Sequence, residues 1–319
     1  MEVSKKIKQE KIGVILMTYG SPKSIAAVPK YLKNIYGGKD ASADVIKEFK
    51  RRYSLIGGSP LIKITKNQAK SLEKELNKKN PKDLKFKVSA GMRFSEPFIG
   101  EVIPKLAKGV NLIIGVIMSP QYSPIIMSGY RKELESAVES LRRNDLELKI
   151  ATDWHLQPYF IKALAKKVTL SLNKNSKKVR SSVPVLFSAH SMPKRVIEKE
   201  PDYINHLKET ATAVASEVGL PKDRWMFCYQ SAGHTPEEWL KPDFADVMPE
   251  LQKKGIKHVL IAPVQFIADH LEILYDVGIG AKEQAEQHGI VFSRTDSLNV
   301  SPLFIRALAD VVTGVMAKT

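Results

Sequence analysis

The chain has 319 residues, 43% of them hydrophobic, and carries 50 Lys and Arg against 34 Asp and Glu, a formal charge of +16. That leaves room for one large or two ordinary globular domains with ample core, and it excludes a disordered chain. Apolar runs no longer than Leu112 to Met118 are too short for a membrane-spanning helix, and a single cysteine, Cys228, excludes an internal disulfide and a cysteine-based zinc site.

Residues 1–10, M-E-V-S-K-K-I-K-Q-E, are charged and lack the apolar centre of a signal peptide, so a cytoplasmic protein is expected. Short β-branched runs then alternate with amphipathic stretches. The strand candidates are Gly13–Thr18, Phe86–Ala90, Leu112–Met118, Leu148–Thr152, Val183–Ser188, Met226–Gln230, Val259–Pro263 and Val291–Ser293. Alternation of this kind predicts parallel sheets with right-handed crossovers. Four strands in each half fit two similar Rossmann-like α/β domains with a cleft between them, residues 1–150 and 151–299. A closing helix follows over 300–319, opened by Ser301 as N-cap and Pro302 at its first position. The polar stretch 173–182 reads as a loop. Cys228, inside an apolar run, reads as a buried thiol.

In open α/β sheets, ligands bind beyond the carboxyl ends of the strands. Here those ends carry Tyr19, Gly20 and Ser21; Met92 and Arg93; Gln121 and Tyr122; His190; Gln230 and Ser231; and Gln265. If the two sheets face each other, these residues line one mixed cleft that suits a large flat ligand and a cation better than a simple phosphate. Neither G-x-G-x-x-G nor a P-loop follows the first strand, so the fold alone implies no nucleotide. The segment V-P-V-L-F-S-A-H-S-M-P, residues 183–193, presents one histidine, His190, at a strand end, where it can act as base or metal ligand.

Residues 268–276 read A-D-H-L-E-I-L-Y-D. On a helix, Glu272 and Asp276 share a face, Asp269 can join them, and His270 points away and reads as a structural histidine. Such a carboxylate row either binds a divalent cation, relays protons or is a solvated face. The basic excess is concentrated in residues 63–87, with nine Lys against three acids, and in 162–180, with seven Lys or Arg and no acid. Solvated helix faces are the plain explanation. Anionic substrates or an anionic membrane surface are the functional ones, and nucleic acid is disfavoured for want of base-stacking motifs.

Taken in order, T-Y-G-S-P at 18–22, R-Y-x-x-I-G-G-S-P-L at 52–61, M-R-F-S-E-P-F at 92–98, S-A-H-S-M-P at 188–193, Y-Q-S-A-G-x-T-P-E-E-W-L at 229–240 and P-V-Q-F-I-A-D-H-L-E-I-L-Y-D at 263–276 resemble the ferrochelatases across nearly the whole chain. The resemblance implies insertion of Fe²⁺ into a porphyrin in haem biosynthesis. It implies His190 and Glu272 as the catalytic pair on one side of the macrocycle, Tyr19 opposite, and Asp276 as a further metal-side carboxylate. Arg52, Tyr53 and Ser59 match the loop that can hold propionates, and Ser231 and Trp239 match positions near the cleft, where the strand-end residues Gln121 and Tyr122 are also expected to meet the substrate. Iron is then a substrate, with no tightly bound cofactor, and the cysteine-rich extension that carries an iron–sulfur cluster in some relatives is absent. The expected partners are the porphyrin, Fe²⁺, other haem-pathway enzymes and, peripherally, an anionic membrane, with a monomeric chain and no nucleic acid.

The tyrosine of T-Y-G-S-P and the form S-A-H-S-M-P look like the short Gram-positive-type enzymes, which resemble coproporphyrin ferrochelatases. Coproporphyrin III is therefore the expected substrate, with protoporphyrin IX and a non-catalytic porphyrin or haem carrier as alternatives. Retention of both His190 and Glu272 favours an enzyme over a carrier. Three places depart from the family pattern: N-I-Y-G-G-K-D at 34–40 replaces an arginine-rich turn, E-P-D-Y at 200–203 replaces G-D-x-Y, and Gly280 stands where the carboxylate ladder would continue.

Overall fold

The structure is a computed structural model and describes residues 10–78, 84–232 and 237–317. The first half comprises β1 (Glu10–Thr18), α1 (Val28–Ile35), α2 (Ala43–Leu55), α3 (Leu61–Lys78), β2 (Leu84–Met92), α4 (Ile99–Leu106), β3 (Leu112–Ile117), α5 (Pro124–Glu139) and β4 (Glu147–Ala151). The second comprises α6 (Pro158–Leu172), α7 (Lys177–Ser182), β5 (Val185–His190), α8 (Lys194–Ile197), α9 (Pro201–Val218), β6 (Trp225–Gln230), α10 (Phe244–Lys253), β7 (His258–Pro263), a π-helix (Glu272–Ala281), α11 (Lys282–Gln287) and β8 (Val291–Arg294). The chain then closes with α12 (Pro302–Ala317).

All eight apolar runs are strands, and every strand pairing is parallel. The two four-stranded sheets have the same order, β2-β1-β3-β4 and β6-β5-β7-β8. In each, the chain leaves the first strand to one side, then returns to add strands on the other. The resulting switch points, between β1 and β3 and between β5 and β7, are where such sheets open a crevice. Central strands buried on both faces explain the unbroken apolar runs that mark them in the sequence.

Helix starts follow local capping chemistry. The hydroxyls of Ser42 and Ser123 accept the Val45 and Ile126 N–H groups at the starts of α2 and α5. Ser176 does the same for Val179, so the polar stretch read as a loop contains the short helix α7. No residue of the six in α7 is fully buried and only Val179 packs against the core, which is why apolar periodicity could not reveal them. α12 packs on α3 and α6, and its Phe304 and Leu308 join one apolar core that also takes in Val14 of β1, Phe187 of β5 and Leu260 of β7. No described helix is long and apolar enough to cross a membrane.

Candidate active site

The two switch points face one another across a cavity of about 340 Å³. Its walls include Met17, Tyr19 and Tyr130 from the first half and Gln265, Phe266 and Glu272 from the second. Tyr19 leaves the end of β1 and packs on Phe94, ring centroids 4.5 Å apart. Gly20 makes the turn after it, with φ +93°, and its carbonyl accepts the Tyr31 hydroxyl. A Cβ at Gly20 would lie 2.3 Å from Ser95 Oγ, so sterics as well as backbone angle require glycine here.

His190 ends β5. Its backbone N–H donates to Gln265 Oε1 at 2.8 Å, and Gln265 Nε2 donates to the buried Tyr203 hydroxyl at 2.6 Å. Its Nδ1 bonds the Ser191 carbonyl, which can only accept, so Nδ1 carries the hydrogen and Nε2 is left for chemistry. That Nε2 lies 3.8 Å from Glu272 Oε2, and so does Nε2 of His270. At 3.8 Å neither contact is a hydrogen bond. Glu272 Oε2 is enclosed and has no hydrogen-bond partner. Burial alone would push the Glu272 carboxyl up, but His190 and His270 overcome it and hold it down at about 2. Burial lowers the His270 value, and Glu272 more than reverses this, leaving it raised. The Tyr19 phenol is pushed up to about 12 by burial and by the nearby Glu272, so it stays an O–H.

These distances correct two readings of residues 268–276. Residues 268–270 are not helical, and the π-helix starts only at Glu272. His270 therefore turns toward Glu272 instead of away from it, with its Nδ1 on the Ala268 carbonyl. Asp269 does not join the carboxylate row. Its oxygens accept Ser297 Oγ and Asn299 Nδ2, each at 2.8 Å, and Arg294 lies 3.7 Å away. It folds the loop that aims Glu272. Asp276 does follow Glu272 along the π-helix. Its carboxyl is raised, first by burial and then by Glu272, against the pull of Ser231 and Arg52.

Arg52 Nη1 lies 3.6 Å from Asp276 and its Nε 2.7 Å from Glu48, while both Arg51 and Arg52 cover the Tyr275 ring. α2 is thus tied to the π-helix across the cavity mouth. Tyr53 is a buried wall residue whose phenol is raised by burial, and Ser59 lines the mouth. Tyr53 and Ser59 also border an open groove of about 970 Å³ with Lys63, Lys66, Lys70 and Lys105 on its walls.

Of the residues read as cleft positions, His190, Arg52 and Asp276 stand beside Glu272 and not on the cavity wall, and Gln121, Tyr122, Ser231 and Trp239 do not form part of it either. Gln121 is fully buried, its Nε2 donating to Thr210 Oγ1 at 3.1 Å and the Val264 carbonyl at 3.3 Å, so it is a strut between the halves. Tyr122 is exposed beyond it. Trp239 bridges to Pro193 and holds the S-A-H-S-M-P segment in place. Ser231 lies beside Asp276, in a left-handed conformation with φ 59°. The intervening motif residues 233–236 lie outside the described residues.

A strand-end histidine and a carboxylate facing a tyrosine across an aromatic slot are a suitable arrangement for a planar ligand and a cation. The family model described as Ferrochelatase matches residues 11–315. The chain belongs to the ferrochelatase family. Ferrochelatases are lyases that insert a metal into a porphyrin. Among curated members, the ferrochelatase of Herpetosiphon aurantiacus is 37% identical over 95% of this chain and 99% of its own length. That of Deinococcus radiodurans is 35% identical over 95% and 96%. The coproporphyrin III ferrochelatase of Oceanobacillus iheyensis is 34% identical over 96% and 97%. Among solved structures, SirB from Bacillus subtilis with Fe³⁺ shares the fold with a TM-score of 0.58 at 14% identity, over 96% of both chains. CbiX, described as the terminal enzyme of siroheme biosynthesis in denitrifying bacteria, gives 0.55 at 11%, over 95% of this chain and 98% of its own. Both ferrochelatase and siroheme-type chelatase thus share the two-sheet frame, while the sequence likeness is to the ferrochelatases.

Proposed function

We propose that this ferrochelatase-family chain inserts Fe²⁺ into coproporphyrin III, with His190 and Glu272 on one face of the macrocycle and Tyr19 on the other. The observation that carries the residue roles is the His190 Nε2 to Glu272 Oε2 pair at 3.8 Å, with Nδ1–H pinned to a carbonyl. Metallation replaces two pyrrole N–H protons with one divalent cation. His190 Nε2 accepts the two pyrrole protons in turn, passing on the first before it takes the second, and ionised Glu272 stabilises the charge that appears beside it. Asp276, with its raised carboxyl, takes protons onward toward the Arg52 side of the mouth. Tyr19 remains a hydroxyl and offers its oxygen to iron arriving from the first half. The step needs no resident cofactor, since iron is the substrate.

Three features favour the tetrapropionate ring over protoporphyrin IX. Several curated relatives are named coproporphyrin III ferrochelatase. Ser59 and Tyr53 connect the cavity to the lysine-lined groove, where carboxylates find cationic partners. The chain is also strongly basic. The test is anaerobic incubation with Fe²⁺, or Zn²⁺ in its place, and each porphyrin, followed by absorbance. Coproporphyrin III is expected to react faster, and His190→Ala to lower the rate at least roughly 100-fold. Faster turnover of protoporphyrin IX overturns the substrate preference, and an unchanged rate in His190→Ala overturns the role of the histidine. Tight porphyrin binding without turnover of any metal would instead establish a carrier.

A further inference from the structure

A second group of metal-binding side chains lies where the chain passes from one sheet to the other. After β4 the backbone crosses toward α6 and carries Asp153 and His155. Facing them on α9 are His206 and Glu209, three residues apart and so on one face of that helix. The His155 ring is buried, with Nδ1 2.6 Å from Asp153 Oδ1 and Nε2 2.8 Å from Glu209 Oε2. It stacks on the His206 ring at 4.1 Å, with the planes 20° apart. His206 Nδ1 is enclosed and has no hydrogen-bond partner. One ligand atom from each of Asp153, His155 and His206 lies within 4.8 Å of the other two.

We propose that Asp153, His155 and His206 form a second metal site, for a borderline divalent ion of the Zn²⁺, Co²⁺ or Fe²⁺ type, distinct from the site where iron meets the porphyrin. Donors about 2.1 Å from a tetrahedral ion stand about 3.4 Å apart, so an ion parts His155 Nδ1 from Asp153 Oδ1, now 2.6 Å away, and draws in the donors that stand up to 4.8 Å apart. Two imidazoles and one carboxylate suit such ions and not Mg²⁺, which prefers an oxygen shell. Glu209 supplies what a ligating histidine needs at its other nitrogen, a carboxylate that accepts Nε2–H and fixes the ring. None of the three residues lines the catalytic cavity. Asp153 and His155 instead border a separate open hollow of about 730 Å³ with Asp310 and Gly314, which gives an ion a way in. The Asp153 side chain keeps 46% of its surface exposed, so it can swing onto the ion without disturbing the core. The occupied site clamps the crossover segment to α9, the helix that also holds Gln121 through Thr210.

Co²⁺ tests this through equilibrium dialysis and its visible absorption, with thermal unfolding in parallel. The background is His190→Ala/Glu272→Gln, which disables the catalytic pair, and because His270, Tyr19 and Asp276 remain in or beside the cavity the second site is read from the Co²⁺ that Asp153→Asn removes. One Co²⁺ per chain is expected, raising the unfolding temperature by several degrees. Asp153→Asn and His206→Gln each abolish that ion, and Glu209→Gln weakens it about 10–100-fold. Asp153→Asn changes an exposed residue and keeps the test valid if His206→Gln does not fold. Co²⁺ binding that is absent, no tighter than Mg²⁺ binding, or unchanged by Asp153→Asn overturns the site.

Discussion

Glu200 offers the sharpest test of how the two halves are held. It is 7% exposed, just before α9, and its carboxylate reaches into the other half. Oε2 accepts the Ser123 hydroxyl at 2.5 Å and Oε1 accepts the Ile125 N–H at 2.6 Å. Both donors belong to the start of α5, where free N–H groups and the helix dipole favour an anion. A charge-assisted hydrogen bond contributes about 1.5–3 kcal/mol, and an abandoned buried donor costs about 1–3 kcal/mol. Two such bonds, less the cost of burying the carboxylate, give a loss of about 3 kcal/mol for Glu200→Ala. At about 2 °C per kcal/mol for a chain of this size, the unfolding temperature falls by about 6 °C. Glu200→Gln keeps one acceptor and loses about half as much. Because α5 carries Ile126 and Tyr130 into the cavity, porphyrin affinity falls along with stability in the alanine variant. Urea and thermal unfolding of the three proteins measure this. An alanine variant within about 0.5 kcal/mol of the parent, the range of an ordinary surface substitution, would refute the clamp.

Two further outcomes follow from the site. The Glu272 carboxyl, held at about 2 against an ordinary 4.5, stabilises the fold fully above about pH 4.5 and loses that contribution as pH falls toward 2. His270, raised above its ordinary 6.5, contributes fully below that value and loses its contribution as pH climbs through the raised one. Stability measured by urea between pH 2.5 and 8 should therefore be flatter in Glu272→Gln than in the parent, and identical profiles would remove the coupling. At Gly20, alanine meets both φ +93° and Ser95 Oγ, so Gly20→Ala is expected to cost about 2–3 kcal/mol and to slow metallation by displacing Tyr19. An alanine variant of parental stability and rate would show that the turn tolerates a side chain.

The strands were legible because buried parallel strands need continuous apolar runs, and so was His190, which stands at the end of one. What sequence spacing could not convey is where the helix in residues 268–276 begins. Placing the helix start at Glu272 instead of upstream reversed the orientation of His270 and sent Asp269 to Ser297 and Asn299. The same limit applies to Gln121, whose amide looks like a cleft group at a strand end but turns across to Thr210 in the other half. The E-P-D-Y departure gained a physical reason only from contacts made 75 and 77 residues away in sequence, at Ile125 and Ser123. Likewise, nothing in the spacing of His155 and His206 shows that their rings stack.

The core that runs from Val14 through Phe187 and Leu260 to Phe304 has a mechanical consequence. Two lobes joined by a linker could open and shut on a guest, but lobes that share one close-packed interior resist compression and hinge motion alike. The slot between the two switch points therefore has a set gape. A macrocycle entering it conforms to the walls more than they conform to it, so any bending that exposes its nitrogen lone pairs is imposed by a rigid mould.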